Sequence, residues 1–512
     1  MTENPPEPYR QRWPIIAILL LTVAVRLYHI DFPVGGFMAW RQADTAAMAK
    51  NYYLNGYQFG SPQIDWGGSS PGYVETEFPL FPFLIAALYK IFGMTELWGR
   101  ILAVACSCAT VFGLYKLVRL MLGEQTALWS AAIYAILPLN VFYGRAIMPD
   151  IMMLMCSVWG IYWFALWAET GRAGPLAASA AAIALAILLK LPELYLGLPL
   201  LSLAVGRDGV RFLRRGSLWA YALAVLIPAA FWYYHAHQTY LASGLTFGIW
   251  DFGSGKWGNI SLLATPKFYN DVLFKSIAER HLTYPGFFLF IAGIILPWQR
   301  PGGRLFTWWL AGIAVYILIV ARGNQVHEYY QLPFALPAAV FIGHTAAEVF
   351  SRDTFRFYRS SRRTVLVLVA LCLFSLAVLS ILRVANYMEG ERRDGSVFQL
   401  GGAVQQATSP DDLLAAVDEG DPVVLYRCGR RGWHIRPDEL TPELLEQLHF
   451  AGASFCVGTT DLIDTPERQK NLLQIAHTFP IVAMNGSYFI IRLSATDVQP
   501  PELSPAPLSA PG

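Results

Sequence analysis

Long apolar runs alternate with short polar segments along most of the chain, from residue 13 to about residue 384. Because about 20 apolar residues are needed to cross the hydrocarbon core of a bilayer, the length of a run indicates whether it spans. The pattern predicts about eleven transmembrane helices, over 13–30, 97–115, 127–142, 151–168, 175–189, 192–206, 217–235, 285–298, 305–321, 331–349 and 364–384. The expected fold class is therefore a polytopic α-helical membrane protein.

Two apolar runs need separate treatment. The first, 13–30, is followed by Asp31-Phe32-Pro33 rather than by a small-residue cleavage site, which indicates an uncleaved first span. The run 79–91 is short and contains Pro82, so we interpret it as a helix lying in the outer interface.

Lys and Arg residues set the predicted orientation, because they concentrate in cytoplasmic loops. With a cytoplasmic N-terminus, the cytoplasmic segments are 1–12, 116–126, 169–174, 207–216, 299–304 and 350–363. Lys and Arg are several times denser in these segments than in the opposite loops, which are 31–96, 143–150, 190–191, 236–284 and 322–329. The asymmetry predicts a multi-pass protein of the cell inner membrane whose C-terminal end is extracytoplasmic.

The chain becomes polar after residue 385. We predict a transmembrane domain over 1–386 with a first outer loop at 31–96, a small extracytoplasmic α/β domain over 387–496, and a disordered Pro-rich tail over 497–512. Helices are predicted to start at Ser409-Pro410, Thr441-Pro442 and Thr465-Pro466, where a capping hydroxyl precedes proline. Strands are predicted at Val423–Tyr426, Ala453–Val457 and Tyr488–Leu493.

Composition narrows the function classes. The chain is 55% hydrophobic and 14% charged, whereas soluble domains average about 25% charged residues. Its net charge is +2 and no basic stripe alternates with aromatic residues, so nucleic acid is not an expected partner. No pair among the six cysteines has metal-ligand spacing. A disulfide between Cys428 and Cys456 is left open, because spacing alone cannot show proximity.

Polar groups are concentrated in the predicted outer loops. Helical spacing from Gln42 to Tyr53 predicts an amphipathic helix on the membrane surface that carries Asp44. The candidate site residues of these loops are Arg41, Asp44, Glu75, Glu77, Arg145, Asp150, Lys190, His327 and Tyr330. A transferase needs a base for the acceptor hydroxyl and cations for a phosphate leaving group, and both types are present.

These residues fall in motifs that resemble a known family. Five motifs occur in the same order along the chain as in that family: Trp40-Arg41-Gln42-Ala43-Asp44-Thr45, Glu77-Phe78-Pro79-Leu80, Arg145 to Asp150, Lys190-Leu191-Pro192 and His327-Glu328-Tyr329-Tyr330. Together they look like bacterial relatives of the protein O-mannosyltransferases and the lipid A aminoarabinose transferases, which are GT-C glycosyltransferases. The resemblance covers residues 13 to about 350.

The resemblance implies an inverting transfer of a sugar from a polyprenyl-phosphate donor to a glycolipid, glycan or protein acceptor. Membrane lipids are expected to surround the protein. The resemblance also implies that Asp44 is the base, that Asp150 is functional, and that Lys190 and Arg145 bind the carrier phosphate. We also predict Glu77 in the catalytic site, where Glu77 or Asp150 could orient Asp44 or the substrate. The chain lacks the Glu-Lys-Pro-Pro of the aminoarabinose transferases and the His-Pro-Pro of the protein mannosyltransferases. The expectation therefore stops at a sugar from a lipid carrier.

Other interpretations stay open at this stage. Asp44 could solvate the polar face of a surface helix, Asp150 could stabilise a helix N-terminus, and Arg145 and Lys190 could reach lipid headgroups. A transporter or flippase would also place ionisable groups at membrane level, and a membrane-anchored binding module would use the C-terminal domain. Carboxylates could hold a divalent cation through oxygen ligands, but no ligand set is evident, so no cofactor is assigned.

Overall fold

The computed structural model describes residues 13–36, 38–249, 256–351, 362–389 and 395–493. The predicted tail at 497–512 and the basic segment 1–12 lie outside these residues. The chain divides into two compact units. The first comprises Met1–Phe37, Met48–Pro62 and Val74–Glu391, and the second comprises Met38–Ala47, Gln63–Tyr73 and Arg392–Gly512.

The first unit is built from apolar helices. In the part of the chain that the structure describes, six helices are long and apolar enough to cross a membrane: Leu97–Leu122, Asp150–Thr170, Gly216–Ser243, Pro301–Ile319, Glu328–Phe350 and Arg363–Glu389. Shorter apolar helices lie at Trp13–Leu27, Leu80–Phe92, Ala173–Leu189 and Thr283–Ile295. Further helices lie at Glu124–Ile136, Pro138–Tyr143, Gly197–Asp208, Ile260–Leu263, Pro266–Tyr269, Asn270–His281 and Ala321–Val326. The prediction of a mainly helical fold with several apolar helices of membrane-spanning length is confirmed.

Prolines divide two of the predicted spans. The apolar run 127–142 forms two helices, Glu124–Ile136 and Pro138–Tyr143, because proline lacks the amide hydrogen that would continue the first. The run 192–206 begins as the 3-10 helix Leu191–Leu196 before the α-helix Gly197–Asp208. Such breaks leave backbone carbonyls without partners inside the helix.

A buried arginine satisfies carbonyls at the first of these breaks. Arg26 donates to the carbonyl oxygens of Ala135 and Asn140, at 3.0 Å each, and to Ser107 Oγ at 2.9 Å. Its side chain is fully buried. Buried polar groups must be hydrogen-bonded in an apolar environment, so Arg26 allows the chain to turn inside the bundle.

Small residues allow helices of the first unit to approach closely. A Cβ atom added at Gly343 would lie 2.4 Å from Ser130 Oγ, and one added at Gly293 would lie 2.2 Å from the carbonyl oxygen of Phe341. Helix Ala335–Phe350 therefore contacts its neighbours backbone to backbone. Helices in lipid associate through close packing of this kind, because burial of apolar surface provides no driving force there.

The second unit contains a five-stranded mixed sheet. The strands are β1 (Leu413–Val417), β2 (Gly432–Ile435), β3 (Ala453–Thr459), β4 (Ile481–Met484) and β5 (Tyr488–Arg492), in the order β2-β1-β3-β5-β4. β1 is parallel to β2 and β3, while β5 is antiparallel to β3 and β4. Helices Ser396–Ala407, Val423–Cys428, Pro442–Phe450 and Pro466–Thr478 complete an α/β fold.

The sequence predictions for this unit have mixed outcomes. The strands at 453–457 and 488–493 are confirmed, and so are the caps: Thr441 and Thr465 accept hydrogen bonds from Leu444 N and Arg468 N. The strand at 423–426 is wrong, because Val423–Cys428 is a helix. The start at Ser409 is also wrong, because the chain turns there and enters β1. Cys428 and Cys456 are buried free thiols.

Part of the first outer loop belongs to the second unit. Segment 63–73 is a hairpin closed by the bridge between Gln63 and Tyr73. On either side of Trp66, Asp65 O accepts from Gly432 N at 2.9 Å, and Gly68 N donates to Gly432 O at 2.8 Å. Since β2 is an edge strand, the hairpin supplies partners for its exposed backbone groups.

The cap at Thr465 yields a test of this fold. Thr465→Ala should weaken the first turn of helix Pro466–Thr478 by about 1 kcal/mol, which is about fivefold faster amide exchange there. Hydrogen-exchange mass spectrometry of the purified full chain measures this. Ser409→Ala is the matched control, since that side chain caps no helix in the structure, and its neighbourhood should exchange at the wild-type rate. Equal effects of the two substitutions would contradict the cap.

Candidate functional site

The first unit contains a cavity of about 520 Å³ that has a mostly apolar wall and a charged cluster around Lys190, called the polar end below. Its ionisable lining residues are Glu77, Asp150, Lys190, Glu193 and Lys256. Its aromatic and apolar lining includes Tyr195, Leu191, Leu194, Leu198, Leu201, Val315, Tyr316, Ile319, Val320, Trp257, Tyr329 and Tyr330. Ligand sites commonly combine a mostly apolar wall with a few convergent polar groups.

Lys190 is the central cation of the polar end. Helix Ala173–Leu189 ends immediately before it, and Lys190 itself has an extended backbone before the turn that contains Pro192. Its Nζ lies 3.3 Å from Glu77 Oε1 and 3.5 Å from Asp150 Oδ1. The break in the helix therefore places the ammonium between two carboxylates.

Aromatic rings also face this ammonium. Lys190 Nζ lies 5.5 Å from the ring centroid of Tyr329 and 5.6 Å from that of Tyr330. A cation over an aromatic ring is stabilised by the negative face of the ring, most strongly where water is excluded. The sequence motif His327 to Tyr330 thus reaches the same point as Lys190, although the two lie far apart along the chain.

The two carboxylates have different environments. Asp150 is the first residue of helix Asp150–Thr170, where a negative charge is favoured by the helix dipole. Its side chain is buried, and Oδ2 has no hydrogen-bond partner among the residues that the structure describes. Glu77 Oε2 accepts a hydrogen bond from the Thr76 hydroxyl at 3.2 Å. Asp150 is therefore placed to stabilise the helix N-terminus by its charge rather than by a capping hydrogen bond, and this role is compatible with one in the cavity.

Two ionisable lining residues are absent from the sequence-based site. Glu193 is buried and accepts from Ser157 Oγ at 2.6 Å and from the Tyr195 hydroxyl at 3.3 Å. Lys256 donates to the carbonyl oxygens of Phe247 and Gly248. Glu193 was recognisable by its proximity to Pro192, but nothing in the sequence connects Lys256 with Lys190.

His327 lies near both lysines. Burial, with the positive charges of Lys256 and Lys190, lowers the pKa of His327 to about 4. The imidazole is therefore neutral at physiological pH and can donate or accept a hydrogen bond without adding charge.

Glu75 and Arg145 have other partners. Glu75 is buried, with the Thr246 hydroxyl as a donor and His237 Nδ1 at 3.7 Å. The Arg145 guanidinium is buried and donates to the carbonyl oxygen of His29 at 2.6 Å. Neither residue is among those that line the cavity.

Asp44 and Arg41 belong to the second unit, in the first half of helix Ala39–Leu54. A helix is present where it was predicted. The predicted surface position is wrong for the part that carries Asp44, because residues 41–49 are all buried. The alternative that Asp44 solvates a polar face is also wrong, because its side chain is only 2% exposed. Trp66 Nε1 donates to Asp44 Oδ1 at 3.0 Å. Burial raises the pKa of Asp44 to about 7, against the opposing effects of Arg41, Trp66 and His434.

Such a carboxyl group is suited to proton transfer, because a general base works best when its pKa lies near the working pH. Within the described ranges, no group of three or more His, Cys, Asp or Glu side chains is arranged to hold a metal ion. We therefore assign no step to one.

The sequence and the fold both have recognisable relatives. Residues 75–235 match the family model described as dolichyl-phosphate-mannose-protein mannosyltransferase. No curated protein sequence matches the chain.

Solved structures cover nearly all of the chain. ArnT from Cupriavidus metallidurans bound to undecaprenyl phosphate is 14% identical, with a TM-score of 0.66 over 95% of this chain and 99% of that one. The archaeal oligosaccharyltransferase AglB from Archaeoglobus fulgidus, in complex with an inhibitory peptide and a dolichol-phosphate, is 14% identical. Its TM-score is 0.56 over 96% of this chain and 75% of that one.

The resemblance predicted from the ordered motifs is therefore confirmed. The family model over residues 75–235 supports the prediction of a glycosyltransferase, and the chain shares its fold with the ArnT and AglB structures.

Proposed function

We propose that this protein transfers a sugar from a polyprenyl-phosphate carrier to a glycolipid, glycan or protein acceptor, with inversion, on the extracytoplasmic face of the cell inner membrane. The observation that carries the proposal is the Lys190 ammonium at the polar end of a mainly apolar cavity. The undecaprenyl and dolichol phosphates bound by the two related folds support this class of carrier.

The topology belongs to the same proposal. About eleven transmembrane helices, with a cytoplasmic N-terminus, would put the first outer loop and the C-terminal domain of residues 387–496 in the extracytoplasmic compartment. The Lys and Arg asymmetry of the loops supports this orientation. The short helix Leu80–Phe92, which has only 13 residues, supports the interfacial interpretation of that run.

The cavity is suited to a lipid phosphate because it combines a charged cluster with a mostly apolar wall. Lys190 and Lys256 would bind the phosphate, since charge-assisted contacts to phosphate are strong. Leu194, Leu198 and Leu201 would contact the isoprenoid chain, whose burial is favourable in proportion to area. Glu77 and Asp150 hold the Lys190 ammonium in place without a donor, so it need not be ordered when the donor binds.

The proposed reaction is a single displacement at the anomeric carbon. Asp44 takes the proton of the acceptor hydroxyl as its oxygen bonds to that carbon. The bond between carbon and phosphate oxygen breaks, and the phosphate keeps the electron pair and leaves on the carrier. The leaving phosphate gains one negative charge, which the lysine ammonium groups stabilise. One displacement inverts the configuration.

The remaining site residues stay predictions. Asp150 and Glu77 are proposed to orient Lys190 in the catalytic site. Tyr330 is proposed to contact the donor beside Lys190, and neutral His327 to donate a hydrogen bond there. Arg41, Glu75 and Arg145 stay predictions of substrate-binding residues.

Lys190→Met tests the donor site. The substitution keeps the length of the side chain and removes its charge, so affinity for undecaprenyl phosphate should fall about 10- to 100-fold. Native mass spectrometry or fluorescence titration of the purified protein in lipid nanodiscs measures this. Lys275→Met is the matched control, because that exposed ammonium pairs with Asp271 outside the cavity. Wild-type affinity in the Lys190→Met protein would place the phosphate elsewhere.

Asp44→Asn tests the base. The amide keeps the shape of the carboxyl group, so folding and donor binding should persist while kcat falls about 10²- to 10⁴-fold. In the wild type, kcat should rise with pH through about 7, because Asp44 acts only when deprotonated and burial raises its pKa to about that value. The rise should be absent from the residual activity of the variant.

Asp65→Asn provides a second measurement for the same role. The Asp65 charge raises the pKa of Asp44, so its removal should move the rise in kcat to lower pH. Near wild-type turnover of Asp44→Asn together with an inactive Asp150→Asn protein would transfer the base role to Asp150.

A further inference from the structure

The side chain that holds Asp44 is itself held by the C-terminal part of the chain. Trp66 packs against the hydrophobic core formed on one face of the sheet by Leu400, Val404, Leu414, Ala416, Val424, Leu425, Cys428, Phe455, Val457 and Ile490. Its indole Nε1 donates to Asp44 Oδ1 at 3.0 Å. One side chain therefore connects the core of the α/β unit with the carboxyl group proposed as the base.

The backbone around Trp66 is fixed on both sides. Gly432 of β2 donates to Asp65 O at 2.9 Å and accepts from Gly68 N at 2.8 Å. Gly72 accepts a hydrogen bond from Ile64 N across the hairpin at 2.9 Å, and the position requires glycine, because φ is +77° and an added Cβ would lie 2.4 Å from Ile64 O. Because the hairpin pairs with the edge strand directly beside Trp66, the indole has little freedom to move relative to the sheet.

A hydrogen-bonded histidine–aspartate pair lies next to the indole. His434 on β2 has its Nδ1 2.8 Å from Asp418 Oδ2, and Asp418 directly follows β1. The ring of His434 lies 5.9 Å from that of Trp66. Asp418 therefore orients His434, and His434 stands beside the side chain that orients Asp44.

We propose that the C-terminal α/β unit is a positioning module for the base, in which Trp66, packed against the core of that unit and flanked by the His434–Asp418 pair, fixes the orientation and the charge of Asp44. This inference rests on the proposed role of Asp44. Trp66, His434 and Asp418 are positioning residues, since they act through Asp44.

The physical effect is the same for each of these groups. An indole N–H donates to an ionised carboxylate more strongly than to a neutral carboxyl oxygen, so Trp66 favours the anion. A positive charge on His434 also favours the Asp44 anion. Arg41 acts in the same direction, Asp65 opposes it, and Asp421 faces His434 beside Asp418.

Trp66→Phe in the full chain is the primary test. The variant keeps an aromatic ring in the core and loses the N–H donor. We expect kcat to fall at least tenfold at pH 7, and the rise of kcat with pH to move upward by about one unit, the effect of one charge-assisted hydrogen bond. The KM for the polyprenyl-phosphate sugar should stay within about twofold, because donor binding is assigned to the other unit.

Trp433→Phe is the matched control. Trp433 belongs to the same unit and its indole packs beside Gly68 of the same hairpin, but it makes no hydrogen bond to Asp44. This variant should keep the wild-type kcat and pH profile. His434→Gln is the second variant, for use if Trp66→Phe does not fold. It removes the imidazole whose charge favours the Asp44 anion while it keeps a polar side chain, and it should also move the profile upward at unchanged KM.

The outcomes separate the two proposals. If Asp44→Asn keeps wild-type activity, the proposed base is wrong. If Asp44→Asn is inactive while Trp66→Phe and His434→Gln keep the wild-type kcat and pH profile, the positioning module alone is wrong. If Trp66→Phe and Trp433→Phe lower kcat equally with no change in pH profile, the α/β unit only stabilises the fold, and the module is again wrong.

Discussion

The charge of Lys190 within an apolar helical unit is the constraint on which the candidate site depends. An ammonium group away from bulk water is costly unless opposite charges and hydrogen bonds compensate it. Glu77 and Asp150 supply the charges, and Tyr329 and Tyr330 supply ring faces. These residues come from distant parts of the chain, so the bundle must be assembled before Lys190 can be accommodated.

The same constraint explains why the helices of the first unit are broken where they are. The ends of helices carry carbonyl and amide groups that need partners. Arg26 donates hydrogen bonds to carbonyl oxygens near Pro138. At the second break, between Leu189 and Pro192, Lys190 has an extended backbone. Irregular backbone within an apolar bundle is tolerated where it is buried in protein or lines a cavity. The breaks therefore coincide with the places where polar chemistry is concentrated.

The sequence predicted much of this arrangement and failed at identifiable points. Hydropathy predicted the apolar helices, because their composition is a local property of the sequence. The ordered motifs placed Glu77, Asp150 and Lys190 in the same predicted site, because a family resemblance can be recognised from sequence alone. Lys256 was missed because its relation to Lys190 exists only in three dimensions. The helix Val423–Cys428 was mistaken for a strand because a short run of valine and leucine has high strand propensity, and its packing decides otherwise. Trp66 was not predicted as a site residue, because a loop sequence does not show that its side chain packs against the core of the C-terminal α/β fold.

The division of the first outer loop also changes how the C-terminal unit should be regarded. Residues 38–47 and 63–73 belong to the second unit, which contains the C-terminal part of the chain, whereas residues 48–62 between them belong to the first unit. A unit assembled from three separate segments cannot be removed by truncation without exposing what the remaining segments packed against. Deletion of the chain after residue 392 would take away the core that holds Trp66 and the strand that pairs with its hairpin. The buried Asp44 would then lose the hydrogen bond that favours its anion. Loss of activity in a truncated protein would consequently not distinguish a binding domain from a positioning one. Point substitutions that leave the sheet intact separate these two roles, because they change one hydrogen bond or one charge at a time.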